Sequence, residues 1–165
     1  MNEKSGQISA EYLFLAGVLI IILMISAVFV ASENELNIAM SAARDGVNNA
    51  IGSSSAAIYP KETFNDYSIS KSDLLIPYSV EIINISYVEL GYDDNYDKKK
   101  IQFKVYANTS KNFSKKQLDS IGDRINYNLR KSLAISFNST SSTNKLFNPV
   151  FSSHYVFTTA NVKWV

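Results

Sequence analysis

The chain has 165 residues, enough for one compact domain with one long additional element but short for two domains. Its 16 Lys and Arg nearly balance its 15 Asp and Glu, so there is no basic surface of the kind that binds nucleic acid. There is no Cys and only one histidine, His154, which excludes thiolate chemistry, disulfides and a metal site built from paired histidines. Because no nucleophile, base and stabilising group converge in the sequence, we expect neither an enzyme nor a bound cofactor.

An uncharged apolar segment occupies residues 12–31 and reads YLFLAGVLIIILMISAVFVA. A helix of that length rises about 30 Å, which matches the hydrocarbon core of a bilayer. Its apolar side chains cover every side of the helix, so lipid or other protein must surround it. Lys4 precedes the segment, whereas Glu33 and Glu35 follow it. This asymmetry predicts an N-terminus in the cytoplasm and residues 32–165 outside the membrane.

Hydrophobicity alone leaves two other interpretations of this segment open. A secretory signal peptide could be cleaved at Val30-Ala31-Ser32, although the apolar core of such peptides is shorter, at about 7 to 15 residues. An uncleaved single-pass membrane anchor would have the same composition as the segment observed here.

The residues directly before the apolar segment distinguish these interpretations. Five positions follow the pattern Gly, then Gln-x-Ser-x-Glu-x-x-x-Leu, and they are Gly6, Gln7, Ser9, Glu11 and Leu15. In this pattern the chain resembles the class III signal peptides of archaeal type IV pilin precursors, particularly those of euryarchaeal methanogens. It departs from the commoner leader at Ser5, where a second basic residue is usual. The resemblance covers about the first thirty residues.

The resemblance implies a leader of residues 1–6, which a membrane prepilin peptidase removes by cleavage between Gly6 and Gln7. Residues 7–52 would then form a transmembrane and filament-core helix, with the polymer core at residues 13–30. The implied partners are the membrane before assembly, a pilus assembly platform, and identical or related pilin subunits in a surface filament. Nucleic acid is not among them.

The same resemblance gives Glu11 a role in the register of assembly. Cleavage makes Gln7 the new amino terminus, and in related pilins the corresponding Glu meets the new amino group of a neighbouring subunit. A local alternative is a carboxylate at the start of a helix, where it interacts favourably with the helix dipole.

The helix is expected to continue beyond the membrane, over residues 8–51 and about 65 Å. Its outer half has apolar residues on one side only, at Leu36, Met40, Ala43, Val47 and Ile51. Gly52, the serines that follow it and Pro60 predict the end of the helix.

Residues 53–165 have a β-rich composition and are predicted to form an extracellular head. Alternating residues predict strands at 83–88, with Ile83, Ile85 and Tyr87 on one face, and at 101–107, joined by a hairpin near residues 91–100. A helix is predicted at residues 114–133, capped by Ser114, and short strands at 147–151, 155–159 and 161–165. The fold class is therefore α+β: a long N-terminal hydrophobic helix and a β-rich head containing one amphipathic helix.

The hairpin tip carries alternating oxygen ligands at Asp93, Asn95 and Asp97, as in the start of an EF-hand calcium loop. Lys98 stands where that loop has its glycine, and Lys104 stands where it has its bidentate glutamate. We therefore interpret the segment as a solvated turn and assign no metal site to it.

Four Asn-x-Ser/Thr sequons are possible N-glycosylation sites, at Asn84, Asn108, Asn112 and Asn138. Asn84 is predicted on the polar face of its strand, and the other three in connections rich in Ser and Asn. The resemblance to archaeal pilins implies that at least one of them carries a glycan.

The leading interpretation is a structural subunit of a type IV pilus-like filament that serves adhesion and surface attachment. A minor pilin or tip adhesin would share the signal but polymerise little, and its copy number along isolated filaments would show this. A single-pass, membrane-anchored extracellular binding protein would remain uncleaved and monomeric.

The mature chain is expected to start at Gln7, because the Gly6-Gln7 bond lies just before the apolar segment, within reach of a membrane peptidase. Mass spectrometry of the protein recovered from cells checks this directly. A chain that retains Met1, or one that starts near Glu33, would contradict the assignment.

Overall fold

The computed structural model of the chain describes residues 3–52, 80–110 and 112–165, with side chains in the first helix described from Ala10 to Ile51. The chain divides into two units, Met1–Asn37 and Ile38–Val165. The described elements are, in chain order, α1 (Glu3–Gly52), β1 (Val80–Asp93), β2 (Lys98–Thr109), α2 (Lys115–Ser136), β3 (Val150–Phe151), β4 (Tyr155–Thr159) and β5 (Lys163–Trp164). The α+β fold class predicted from the sequence is confirmed.

Helix α1 has 50 residues and is about 75 Å long at the standard rise. It extends from Glu3, before the predicted start at Ile8, to Gly52, the last residue described before residue 80. No proline interrupts this stretch of the sequence, so the backbone ladder continues from the polar junction through the apolar segment. The first unit therefore consists of helix alone in its described part, and α1 continues into the second unit.

The buried side of α1 in the second unit includes two of the predicted residues, Ala43 and Val47, and is otherwise made of small residues that the hydrophobic pattern did not pick out. The fully or almost fully buried positions are Ala39, Ala42, Ala43, Gly46, Val47 and Ala50. The three larger residues of the predicted stripe, Leu36, Met40 and Ile51, are only half-buried. Hydropathy gives most weight to large side chains, whereas close approach of two helices requires small ones.

Gly46 shows how close this approach is. A Cβ atom built on Gly46 would lie 2.5 Å from the carbonyl oxygen of Asn128 and 2.7 Å from Cα of Leu129, both in α2. Contacts of that length with backbone atoms cannot be relieved by rotating a side chain. Within the second unit, α1 and α2 are therefore in backbone contact at a position that accepts only glycine.

The strands form a mixed sheet with β2 at its centre. The order is β1-β2-β4-β3, and β5 pairs with β2 further along the same edge that β4 occupies. β1 runs antiparallel to β2, whereas β4 and β5 run parallel to it. The parallel pairing requires a crossover, and α2 lies in the connection from β2 to β4.

One face of the sheet carries the hydrophobic core. Ile101, Phe103, Val105 and Ala107 alternate along β2 and are 0% exposed, as the sequence pattern predicts. The ring of Phe157 in β4 lies 6.0 Å from the Phe103 ring and 5.4 Å from that of Phe137, just after α2. This aromatic cluster joins the second helix to the middle of the sheet.

Strand β1 is longer than predicted and contains an irregularity that changes one assignment. Its register with β2 shifts between Ile82 and Asn84, which leaves Ile83 unpaired and 53% exposed. Ile82, opposite Ala107, takes the inward place predicted for Ile83. Tyr87 keeps its predicted face and packs edge-on against Phe103. A β-bulge inserts one residue and so reverses the alternation on one side of it, which periodicity cannot reveal.

Helix α2 begins where the sequence predicts. Ser114 is its N-cap, and a capping box with Gln117 is formed: the Gln117 backbone N–H donates to Ser114 Oγ, and the Ser114 N–H donates to Gln117 Oε1 at 2.9 Å. The helix continues to Ser136, three residues past its predicted end at Leu133. Of the five apolar residues that the helical pattern predicts on one side, Ile121, Ile125, Leu129 and Leu133 are buried and Leu118 is half-buried.

The short strands near the C-terminus agree with the sequence in part. β4 has the predicted bounds, and β5 is the middle of the predicted segment 161–165. β3 contains only Val150 and Phe151, because Pro149 has no N–H to donate and Phe147 has a positive φ of 53°. Residues 147–149 therefore do not extend the ladder.

A fragment of residues 38–165 is expected to be soluble and monomeric, whereas residues 53–165 should aggregate. The shorter fragment lacks the part of α1 that carries Ala43, Gly46 and Val47, and so uncovers the surface of α2 against which they pack. Size-exclusion chromatography of both fragments tests this. A monomeric, folded 53–165 fragment would show that α1 is not needed by the head.

In the longer fragment, Gly46→Ala is expected to lower the free energy of unfolding. Forcing the two helix backbones apart costs about 1–3 kcal/mol, which outweighs the gain of up to about 1 kcal/mol from replacing a helical glycine. Gly122→Ala is the matched control, because its Cβ would meet only side-chain atoms of Val162, at 3.3 and 3.4 Å. Denaturant titration should rank Gly46→Ala as the less stable variant, and equal stabilities would contradict the close contact.

Candidate processing and assembly segment

The predicted processing junction lies inside α1. Gly6, Gln7 and Ser9 are in the first turns of the helix, and the backbone is helical from before the junction to its end. The bond predicted to be cleaved is therefore followed directly by the helix that would remain in the mature chain. Nothing in the described backbone separates the leader from the apolar segment.

Glu11 is exposed and is the only charged residue between Lys4 and Glu33. Leu15 follows one turn later on the same side of the helix and is 68% exposed. The signal residues thus present a carboxylate next to an apolar surface.

The apolar segment presents its whole circumference to the outside. The large apolar side chains from Tyr12 to Val30 are exposed by between 41% at Val18 and 78% at Leu13. Two serine hydroxyls are satisfied within the helix, since Ser26 in the segment donates to the Ile22 carbonyl and Ser32 just after it donates to that of Phe29, each at 2.8 Å. The other polar side-chain groups on this surface, the Glu11 carboxylate and the Tyr12 hydroxyl, lie at its start.

By length and composition, the stretch Ala10–Ile51 contains a segment apolar enough to cross a membrane, and none of that segment is buried. A core helix of a soluble protein of similar composition would be mostly covered by its own chain. An exposed apolar surface of this extent is unfavourable in water and marks a site that lipid or protein must cover.

In the hairpin tip that resembles a calcium loop, the acidic side chains make hydrogen bonds and an ion pair with neighbouring residues. Asp93 accepts from the backbone N–H of Asn95 at 3.1 Å and pairs with Lys100 at 3.4 Å. Asp97 accepts a hydrogen bond from the Tyr92 hydroxyl, which raises the pKa of that tyrosine above its ordinary value. Across the described ranges, no three His, Cys, Asp or Glu residues are grouped as a metal site would need.

All four sequon asparagines are exposed. Asn84 lies in β1 opposite Tyr106, on the polar face as predicted. Asn108 was predicted in a connection but lies within β2, because that strand extends to Thr109. Asn112 precedes the cap of α2, and Asn138 follows α2 with a positive φ of 49°. An asparagine must be exposed to be glycosylated, and all four meet this requirement. Whether any of them carries a glycan stays a prediction.

A polar cleft of about 330 Å³ between the start of α2 and the C-terminal residues was not predicted from the sequence. Its polar and aromatic lining consists of Lys115, Asp119, Asp123, Asn126, Asn161 and Trp164. The spacing of Asp119, Asp123 and Asn126 along one side of a helix is visible in the sequence, but the approach of Asn161 and Trp164 is not. Such a cleft has the chemistry to hold a small polar molecule.

Comparison of the chain with models of protein families, with curated proteins and with solved structures finds no match in any of the three.

Proposed function

We propose that this chain is the precursor of a structural subunit of an archaeal type IV pilus-like surface filament. One observation carries the proposal: a cleavage motif, Gly6-Gln7 with Ser9, Glu11 and Leu15, stands directly before an unbroken helix whose apolar surface is exposed on every side. A leader peptidase that cut there would leave this helix attached to the head.

Two environments are suited to such a helix. In the membrane, lipid covers the apolar side chains; in a filament, the same side chains of neighbouring subunits cover one another. Because both environments are apolar, the transfer between them gains little from the hydrophobic effect. Packing of the helices and contacts between heads would stabilise the polymer, and assembly machinery would supply the work of extraction.

The head contains no covalent cross-links. It has no cysteine and therefore no disulfides, so the core around Phe103, Phe137 and Phe157 must hold it together. The part of α1 with small residues is packed within this unit. We infer that the head would be carried into the filament already folded and fixed to its helix.

The polar cleft beside α2 favours a second candidate, a single-pass membrane-anchored binding protein. That protein would keep its leader and remain monomeric in the membrane. A minor pilin or tip adhesin would combine cleavage with a binding head.

Shearing surface filaments from cells and sequencing the N-terminus of the chain found in them separates the candidates. A filament composed mainly of chains that start at Gln7 is the expected result. A cleaved chain present at a few copies per filament would indicate the minor pilin, and an uncleaved chain left in the membrane would contradict the proposal.

Substitution Glu11→Gln is expected to stop filament growth while leaving insertion and cleavage largely intact. The apolar segment, Gly6 and Gln7 are unchanged, but the new amino terminus would be buried in the polymer without an opposite charge, at about 3–5 kcal/mol per subunit. Immunoblotting of membranes reports cleavage, and electron microscopy counts filaments.

The matched control is Glu33→Gln, which removes an exposed carboxylate beyond the apolar segment. It should assemble as the unmodified chain does. If cleaved Glu11→Gln protein as the sole subunit gave normal filament numbers, the proposed role of Glu11 in assembly would be wrong. Glu11 would then act only locally, at the start of the helix.

A further inference from the structure

The polar cleft beside α2 follows one side of that helix. Four of its lining residues, Lys115, Asp119, Asp123 and Asn126, recur at helical spacing and extend over about 16 Å of helix at the standard rise. Asn161, Val162 and Trp164 line the cleft opposite them. The cleft is therefore elongated, and all of it lies within the second unit.

Hydrogen bonds to the sheet fix the side of the cleft opposite α2. The backbone N–H of Ala160 donates to the Phe103 carbonyl at 2.9 Å, and that of Val165 donates to the Ala107 carbonyl at 3.0 Å. Trp164 is the strand partner of Ala107, so the two side chains project from the same, buried face of the sheet. The indole of Trp164 is thereby directed to the side of the sheet that carries α2.

Asn126 brings an acceptor without a donor to the cleft. The residue is 5% exposed, and its Nδ2 donates to the Ala160 carbonyl at 2.9 Å, which fixes the orientation of the amide. Within the described ranges, its Oδ1 accepts no hydrogen bond. Buried amide oxygens nearly always have a donor, because leaving one without a partner is unfavourable. A hydroxyl group that enters the cleft can supply this donor.

The charges of the lining favour a neutral ligand that both donates and accepts hydrogen bonds. Asp119 and Asp123 expose carboxylates, which only accept, and Lys115 exposes an ammonium group, which only donates. An anion would be repelled by the two carboxylates, and a polycation would be repelled by the ammonium group. A hydroxyl group can donate to a carboxylate and accept from an ammonium group, so a neutral molecule with several hydroxyls suits all three side chains.

Trp164 adds an aromatic surface to these polar groups. It is half-buried, as is Leu118 on the helix side, and the two give the cleft an apolar part. A pyranose ring combines hydroxyls around its edge with C–H groups on its faces. An indole ring can pack on such a face while neighbouring polar side chains bind the hydroxyls.

We propose that the cleft is a binding site for a neutral saccharide. The sugar hydroxyls bind to Asp119, Asp123 and Oδ1 of Asn126, and one face of a sugar ring packs on Trp164. The site belongs to the head and needs neither cleavage nor assembly, so it goes beyond the proposed function. Repeated along a filament, such sites would bind a saccharide-covered surface together, and this consequence alone rests on the proposed function.

Trp164 is the only tryptophan in the sequence, so its fluorescence reports on this site. The full chain, purified in a detergent without a sugar headgroup, is screened on an array of neutral oligosaccharides of glucose, galactose, mannose and N-acetylglucosamine. The sugars retained are then titrated in solution. We expect saturable binding with a shift in tryptophan emission, because a sugar on the indole displaces water from it. No binding to the array, or binding without a change in emission, would overturn the inference.

Alanine substitutions test the polar side of the site. Asp119→Ala and Asp123→Ala change exposed side chains and should leave the fold intact, but each removes a charged acceptor and should weaken sugar binding roughly tenfold. The matched control is Asp94→Ala, which removes an exposed carboxylate of the hairpin tip, outside the cleft. It should bind sugar as the unmodified chain does. Equal affinities of all three variants would contradict the proposed site.

The aromatic contact is tested on the array, since variants at Trp164 lose the fluorescent reporter. Trp164→Phe keeps an aromatic ring and should retain part of the binding, whereas Trp164→Leu should lose most of it. Circular dichroism of both variants reports whether the head remains folded. If folded Trp164→Leu protein bound sugar as well as Trp164→Phe protein, the packing of a sugar ring on this residue would be wrong.

Charged probes separate the ligand classes. Spermidine represents a polycation and citrate a polyanion, and we expect neither to compete with the bound sugar. Sugar binding should also change little with added salt, because a neutral ligand has no charge to screen. If spermidine or citrate bound in a salt-dependent manner and no neutral sugar did, the assignment to a saccharide would be wrong.

The N-terminus of the same preparation separates this inference from the proposed function. A chain that starts at Gln7 but binds no sugar overturns the saccharide site alone. A chain that binds sugar but retains Met1 supports the site and contradicts the proposed processing and assembly.

Discussion

The apolar surface of the first part of α1 is the constraint on which the rest of this protein depends. A helix whose side chains from Tyr12 to Val30 are all exposed cannot remain in water, so lipid or other protein must cover it. Because the surface extends around the whole helix, one flat contact would leave most of it uncovered. Such a helix suits an environment that surrounds it, which both a bilayer and the core of a helical filament provide. A carboxylate at its edge, Glu11, would have a large effect in either place, since an unpaired charge is costly where water is absent.

The later part of α1 packs against α2 within the second unit. Its buried side is made of alanines, Gly46 and Val47, and these allow α2 to approach until the backbones touch. Small residues contribute little apolar area individually, so the stability of this contact comes from close packing over a matched surface. One helix therefore carries large, exposed side chains in its first part and small, buried ones where it packs within the second unit.

Side chains alternate along β2, the central strand, and this gives the sheet one buried face and one outward face. Residues 101, 103, 105 and 107 of β2 face the core. Lys104, Tyr106 and Asn108 alternate with them and face outward. Without disulfides, the aromatic cluster around Phe157 has to supply the cohesion of the head, and burying one such ring contributes roughly 1.5–3 kcal/mol. The outward face is thereby free to carry polar and modifiable groups without weakening the core.

The sequence by itself determined the features that depend on local order. These are the length and continuity of α1, the Ser114 cap with Gln117, the alternation of β2 and the bounds of β4, because helix and strand periods and capping act over a few residues. Only the tertiary structure decided that Ala39, Ala42, Gly46 and Ala50 are buried along α1, that Ile82 replaces Ile83 in the core, and that Asn84 lies opposite Tyr106. Each of these depends on groups distant in the chain: the backbone of α2 selects Gly46, and strand register brings Asn84 opposite Tyr106. Periodicity describes a segment alone, whereas close approach, bulges and register are properties of two segments in contact.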